Sequence, residues 1–209
     1  MLVLLVHGLG RTPLSLFGLA AALRQAGHHT RFFGYSPTFE GLPRIVRRLT
    51  NRLRSLAQAG RPVGLVGHSL GGLLLRMALA EVPELIVHHF VMLGTPNCGS
   101  RMAAFASRWL PFRLLTRSCG RFLAKPLECA GLPPLRVPFT VIAGTAGPCG
   151  RLSPFGHEPN DGVVAVAETA PDPLAVVRFP VFHSFMMDSP AVRARVVSAL
   201  RPTQSNSTR

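Results

Sequence analysis

Two periods alternate along the 209-residue chain. Short apolar runs carrying β-branched or aromatic residues, at 2–6, 30–35, 63–66, 87–93, 138–143 and 175–181, predict strands. Between them the apolar positions recur at helical spacing. Residues 13–26 open with Pro13 near the first turn and stop at Gly27. Over 41–59, Leu42, Ile45, Val46, Leu49, Leu53 and Leu56 form one stripe, with Arg44, Arg47, Arg48, Arg52 and Arg54 largely off it. Leu70, Leu73, Leu74 and Met77 mark a helix that ends by Pro83, and Ser189 with Pro190 opens a last helix to about 200. Strand and helix in strict turn predict an α/β domain, over 1–201, on a mostly parallel sheet.

The alternation fails between residues 95 and 137. This stretch mixes proline, arginine and bulky apolar side chains, among them Phe105, Trp109, Leu110, Phe112, Leu114, Leu115 and Phe122. A long insertion this apolar is not a disordered loop, and residues 98–136 are expected to form a small helical cap over the carboxyl end of the sheet. The alternative is a helical pair that only covers an edge. The polar tail at 202–209 is expected to be disordered.

Composition changes the picture in one respect. Hydrophobic residues make up 47% and charged residues 15%, which suits one globular domain with a sizeable core. The net charge of +14 at first suggests nucleic acid. Yet all the basic residues except Lys125 are arginines, scattered along the chain, with no recognition-helix, zinc or RNA-binding aromatic pattern beside them. No nucleic-acid partner is expected; peripheral contact with an anionic membrane fits better. Residues 98–136 carry Arg101, Arg108, Arg113, Arg117, Arg121, Lys125 and Arg136 among their aromatics. In one arrangement the apolar residues face a membrane; in the other they pack on the core and leave the arginines solvated. The opening MLVLLVHG lacks the features of a signal peptide, and no apolar run is long enough to span a membrane, so the expected compartment is the cytoplasm. Cys98, Cys119, Cys129 and Cys149 lack metal-site spacing and are expected to be free thiols.

The chemistry centres on Gly67-His68-Ser69-Leu70-Gly71. G-x-S-x-G turns up by chance in about one chain in ten of this length, so its setting must decide. That setting is a strand running into a helix. A turn so sharp strains its central residue and presses backbones together, which only glycine at both flanks permits. It lifts the serine hydroxyl clear and aims a helix N-terminus at it. His68 inside the turn must point away from the serine.

A serine nucleophile needs a base and an orienting acid. Of the three aspartates, Asp161 in Asn160-Asp161-Gly162 follows a strand; Asp172 lies between prolines and Asp188 before the last helix. Asp161 is the best acid. Among eight histidines, His183 follows the last strand, with His157 as its competitor. The chain order Ser69, Asp161, His183 matches serine, acid, histidine on successive strands. His7 and Gly8 end the first strand, where neighbouring N–H groups are placed to form an oxyanion hole.

His7-Gly8-Leu9-Gly10, Gly67-His68-Ser69-Leu70-Gly71, Gly94-Thr95-Pro96, Asn160-Asp161-Gly162 and His183 together resemble an α/β-hydrolase of the compact bacterial lipase and esterase type. The resemblance implies a minimal fold of about six strands with helices on both faces. It also implies Ser69 as nucleophile, His183 as base, Asp161 as acid, and the Leu9 and Leu70 amides as the oxyanion hole. His7, Gly8, His68, Thr95 and Pro96 would shape the substrate pocket. Phe185 stands where calcium-binding lipases place an aspartate, so neither a calcium site nor any other metal or cofactor is expected. The implied activity is cleavage of small-molecule or lipid esters with an apolar acyl group. The same triad serves a thioesterase or acyltransferase, and the same fold serves a catalytically silent binding protein.

Overall fold

The computed structural model describes residues 1–170 and 175–201; Asp172 and the tail beyond 201 lie outside them. Strands β1 (Leu2–Val6), β2 (His29–Phe33), β3 (Val63–His68), β4 (Val87–Leu93), β5 (Phe139–Gly144) and β6 (Val177–Phe179) form one sheet in the order β2-β1-β3-β4-β5-β6. Every neighbouring pair is parallel. The sheet is thus wholly parallel. The sixth strand is only 3 residues long, shorter than the apolar run predicts.

Parallel strands need crossovers, and the helices supply them on both faces. Helices α2 (Leu42–Ala57) and α3 (Leu70–Ala80) pack on one face, α1 (Phe17–Gln25) and α8 (Pro190–Ala199) on the other. The strands divide their side chains accordingly. Leu4, Val6, Leu65, Phe90 and Met92 join the α2–α3 core with Ile45, Leu49 and Leu73. Val3, Leu5, Val66, Val91 and Leu93 join the α1–α8 core with Leu19, Leu23 and Val192. The period of two along each buried strand feeds both cores. At the start of the 13–26 segment, Pro13–Leu16 forms a 3₁₀ turn and the α-helix begins only at Phe17.

The chain leaves β1 for β2 on one side and returns through α2 to β3 on the other. The connections that leave the carboxyl ends of β1 and β3 therefore run to opposite faces of the sheet, opening between them the crevice where ligands bind in such sheets. Register pairs Val6 with Gly67, so the residues after both strands emerge side by side.

Over that end stand α4 (Arg101–Ala106), α5 (Leu110–Leu123) and α6 (Pro126–Ala130). Ser100 caps α4 by accepting from Ala103 N. Arg101 clamps the helix to the β5–β6 connection through Glu158 and through Glu168 of the short α7 (Val166–Thr169). Thr38 Oγ1 donates to Leu115 O, and Leu42 N donates to Ser118 Oγ, tying α5 to the start of α2. All four cysteines are free thiols. Burial pushes the Cys119 thiol up to about 11 and the Cys129 thiol up to about 12, so both serve as small apolar filling.

Candidate active site

Ser69 sits between β3 and α3 at φ 53°, ψ −124°. Positive φ in a serine is costly and persists only where the surroundings enforce it. Here Ser69 N donates to Leu93 O at 2.8 Å, and Gly72 N returns to Ser69 O at 3.0 Å. The flanking glycines are required by contact. A Cβ on Gly71 would fall 2.5 Å from His7 O and nearer still to Val6 O, while one on Gly67 would lie 2.5 Å from the Gly72 backbone. A Cβ on Gly8 would stand 3.0 Å from Ser69 Cβ, so the β1 loop abuts the serine. Leu70 opens α3, whose first N–H groups have no partner within the helix.

His183 lies at the start of a 3₁₀ turn (His183–Asp188) after β6. Its Nδ1–H donates to Asp161 Oδ2 at 2.7 Å, and its backbone N–H donates to Asp161 O at 2.9 Å. The other oxygen, Asp161 Oδ1, accepts from Val163 N at 3.0 Å and Val164 N at 2.7 Å. Beneath this turn Asn160 is fully buried, accepting from Gly162 N and donating to Pro148 O and Glu158 O. The carboxylate is thereby fixed in position with every oxygen occupied. Sequence reading missed the part of Asn160, although its place beside Asp161 was a usable signal.

His68 stands on the wall beside Ser69 with one ring nitrogen already committed. Its Nε2–H donates to His183 O at 3.2 Å, and its ring lies 4.7 Å from the His183 ring. Burial above all, and the repulsion that a proton on the neighbouring His183 ring would add, hold its pKa well below the ordinary histidine value. His68 is therefore a neutral ring that braces the His183 backbone.

Ser69, His183, His68, Leu9 and Pro96 line one cavity of about 290 Å³, roofed by Met102, Ala103, Ala106, Phe112 and Leu123 of the cap. Val163 and Val164 close the Asp161 side, and Arg11 stands on the wall with its guanidinium donating to Ser184 O at 2.6 Å. Other expected pocket residues fall elsewhere. His7 is buried, stacked on Tyr35 at 4.3 Å, with Nδ1–H on Gly8 O and Nε2 accepting from Tyr35 N. It orders the β1 loop instead of lining the cavity, as does Gly8. Thr95 is fully buried behind Gly72, which leaves Pro96 alone of that pair on the wall. His157 is exposed and lines no part of the cavity.

Residues 3–205 match the model of the alpha/beta hydrolase family. The chain belongs to that family. Solved structures resemble this hydrolase at low identity, which speaks to fold. The mature lipase BlEst2 of Bacillus licheniformis aligns with a TM-score of 0.70 at 22% identity, over 88% of this chain and 85% of that one. Phospholipase PlaB of Legionella pneumophila aligns at 0.61 and 18%, over 81% of this chain and 46% of that one. The RedJ thioesterase of Streptomyces coelicolor aligns at 0.60 and 16%, over 96% and 90%. No curated protein sequence matches the chain.

Proposed function

We propose that this α/β-hydrolase cleaves carboxylic esters bearing an apolar acyl group, through an acyl-enzyme on Ser69. The observation that carries the reading is the strained serine on the wall of an apolar cavity that also holds a histidine tied to a buried carboxylate. In this mechanism His183 Nε2 takes the Ser69 proton as Oγ bonds to the ester carbonyl carbon. The carbonyl electron pair moves to oxygen, where the Leu9 and Leu70 amides receive it; one such donor is worth roughly 3 kcal/mol. Collapse breaks the bond to the alcohol, which leaves with the proton from His183. Water then attacks the acyl carbon with His183 again as base, releasing the acid and restoring Ser69.

Asp161 has two tasks. Its Oδ2 holds the proton on Nδ1, which leaves Nε2 free to accept, and its charge stabilises the imidazolium. The wall of Leu9, Pro96, Met102, Ala106, Phe112 and Val164 suits hydrocarbon. A volume of about 290 Å³ lies at the small end for ligand pockets, which favours short acyl chains. The PlaB and BlEst2 likenesses agree with a lipid or related ester substrate. The test is labelling with a fluorophosphonate followed by peptide mapping. The adduct should fall on Ser69 and vanish in Ser69→Ala; an adduct elsewhere, or full esterase activity in that variant, overturns the proposal.

A further inference from the structure

We infer that the outer face of the cap docks on an anionic lipid bilayer, with a lipid phosphate seated between Arg113, Arg117 and Arg121. Helix α5 has two unlike sides. Thr116, Cys119, Gly120, Phe122 and Leu123 are buried, whereas Leu110, Leu114 and Leu115 are exposed. Phe105 and Trp109 stand out beside them, at 55% and 63% exposure. Five large apolar side chains on one small surface lose free energy to water unless something covers them.

The charge says what covers them. Arg108, Arg113, Arg117 and Arg121 are exposed among these apolar residues, and none enters an ion pair among the described residues. The cap's other basic residues are placed differently: Arg101 is held by Glu158 and Glu168, Lys125 by Glu128, and Arg136 lies apart near Leu85. Glu128 is the cap's one acid, so the arginine face has no counter-charge of its own.

Arg113, Arg117 and Arg121 converge on a cavity of about 470 Å³, with Leu110 and Leu114 on its edge and Gly41 and Ser118 behind. Arg117 has φ 47°, ψ −127°, which breaks α5 between the two bonds that pin it to the 38–42 segment. The N–H of Leu42 is already taken by Ser118, so guanidinium groups supply the positive field. Their forked donors match phosphate oxygens. A free phosphate or a nucleic acid would leave the leucines and Trp109 in water; a bilayer covers both kinds of side chain, head group against arginine and acyl boundary against hydrocarbon. The inner sides of α4 and α5 roof the Ser69 cavity, so docking places that cavity directly behind the lipid-facing helices. The docking itself does not depend on the reading of Ser69 as a nucleophile.

Trp109 is the protein's single tryptophan, so its emission reports this surface alone. The Ser69→Ala protein, which leaves lipid intact, is mixed with vesicles of phosphatidylcholine alone or with phosphatidylglycerol, at low and high salt. Expected are co-sedimentation with the anionic vesicles and a blue shift of Trp109, both weakened by salt and at least tenfold weaker on neutral vesicles. Arg113→Gln with Arg121→Gln should weaken binding about thirtyfold and leave hydrolysis of a soluble aryl ester by the otherwise native protein unchanged. Equal binding to both vesicle types, no shift of Trp109, or native binding by the double variant overturns the inference. So does binding of inorganic phosphate or an oligonucleotide with none of vesicles. Loss of ester activity in native protein that still binds vesicles would instead count against the Ser69 reading.

Discussion

Replacing Asp161 by asparagine changes one atom of a buried carboxylate and, through it, the proton on His183. Two backbone donors, Val163 N at 3.0 Å and Val164 N at 2.7 Å, already occupy Oδ1. They require an acceptor, so the amide oxygen of the new side chain must remain there and its NH₂ must take the place of Oδ2. That NH₂ faces His183 Nδ1, which the carboxylate had held as a donor at 2.7 Å. The histidine must then put its proton on Nε2 and cannot accept from Ser69. The corresponding change in a serine protease triad lowers kcat about 10⁴-fold, which is about 5.4 kcal/mol of transition-state stabilisation. The fold should lose far less, about 1–2 kcal/mol, because each bond to Asp161 keeps a neutral counterpart. Steady-state hydrolysis of p-nitrophenyl butyrate, paired with urea unfolding, separates the two effects. Asp161→Asn protein that is folded and within tenfold of native kcat would refute the assigned role of Asp161.

His183→Ala should match Ser69→Ala in lost turnover while His157→Ala keeps native rates, since His157 is exposed and off the cavity; aryl-ester kinetics on the two variants decide it. Gly71→Ala drives a methyl into the Val6 and His7 carbonyls, backbone that cannot yield, and should cost about 3 kcal/mol or more by urea midpoint, if the protein folds at all. Burial lowers the pKa of both His68 and His7, so the unfolded chain binds protons that the folded one refuses. The stability they contribute is complete above the unfolded value of about 6.5 and is lost as pH falls below it, by up to about 1.4 kcal/mol per pH unit for each ring. Melting followed from pH 8 to pH 5 should show this decline, and His68→Gln, which keeps a donor for His183 O, should make it shallower.

Much of the fold was written in local pattern. The apolar runs at 2–6 and 87–93 mark strands that must be covered by protein, the stripe from Leu42 to Leu56 fixes which side of its helix must leave water, and those elements stand where the pattern puts them. The glycines around Ser69 were equally legible, because a turn so tight admits no side chain at Gly67 or Gly71. Residues far apart in the chain were another matter. Nothing near His7 in sequence reveals Tyr35, whose ring takes it out of the cavity; that contact exists because β1 and β2 pair in parallel. Nor does the order Ser69, Asp161, His183 give a distance: Asp161 meets His183 because the β5 and β6 ends lie in register and two valine amides turn the carboxylate. The cap is the clearest case. Its helical period cannot say which apolar side faces the sheet, since both sides of α5 are apolar. Only the packing of Phe122 and Leu123 against the core, with α5 tied to Thr38 and Leu42, decided that Leu110 and Leu114 face outward among the arginines.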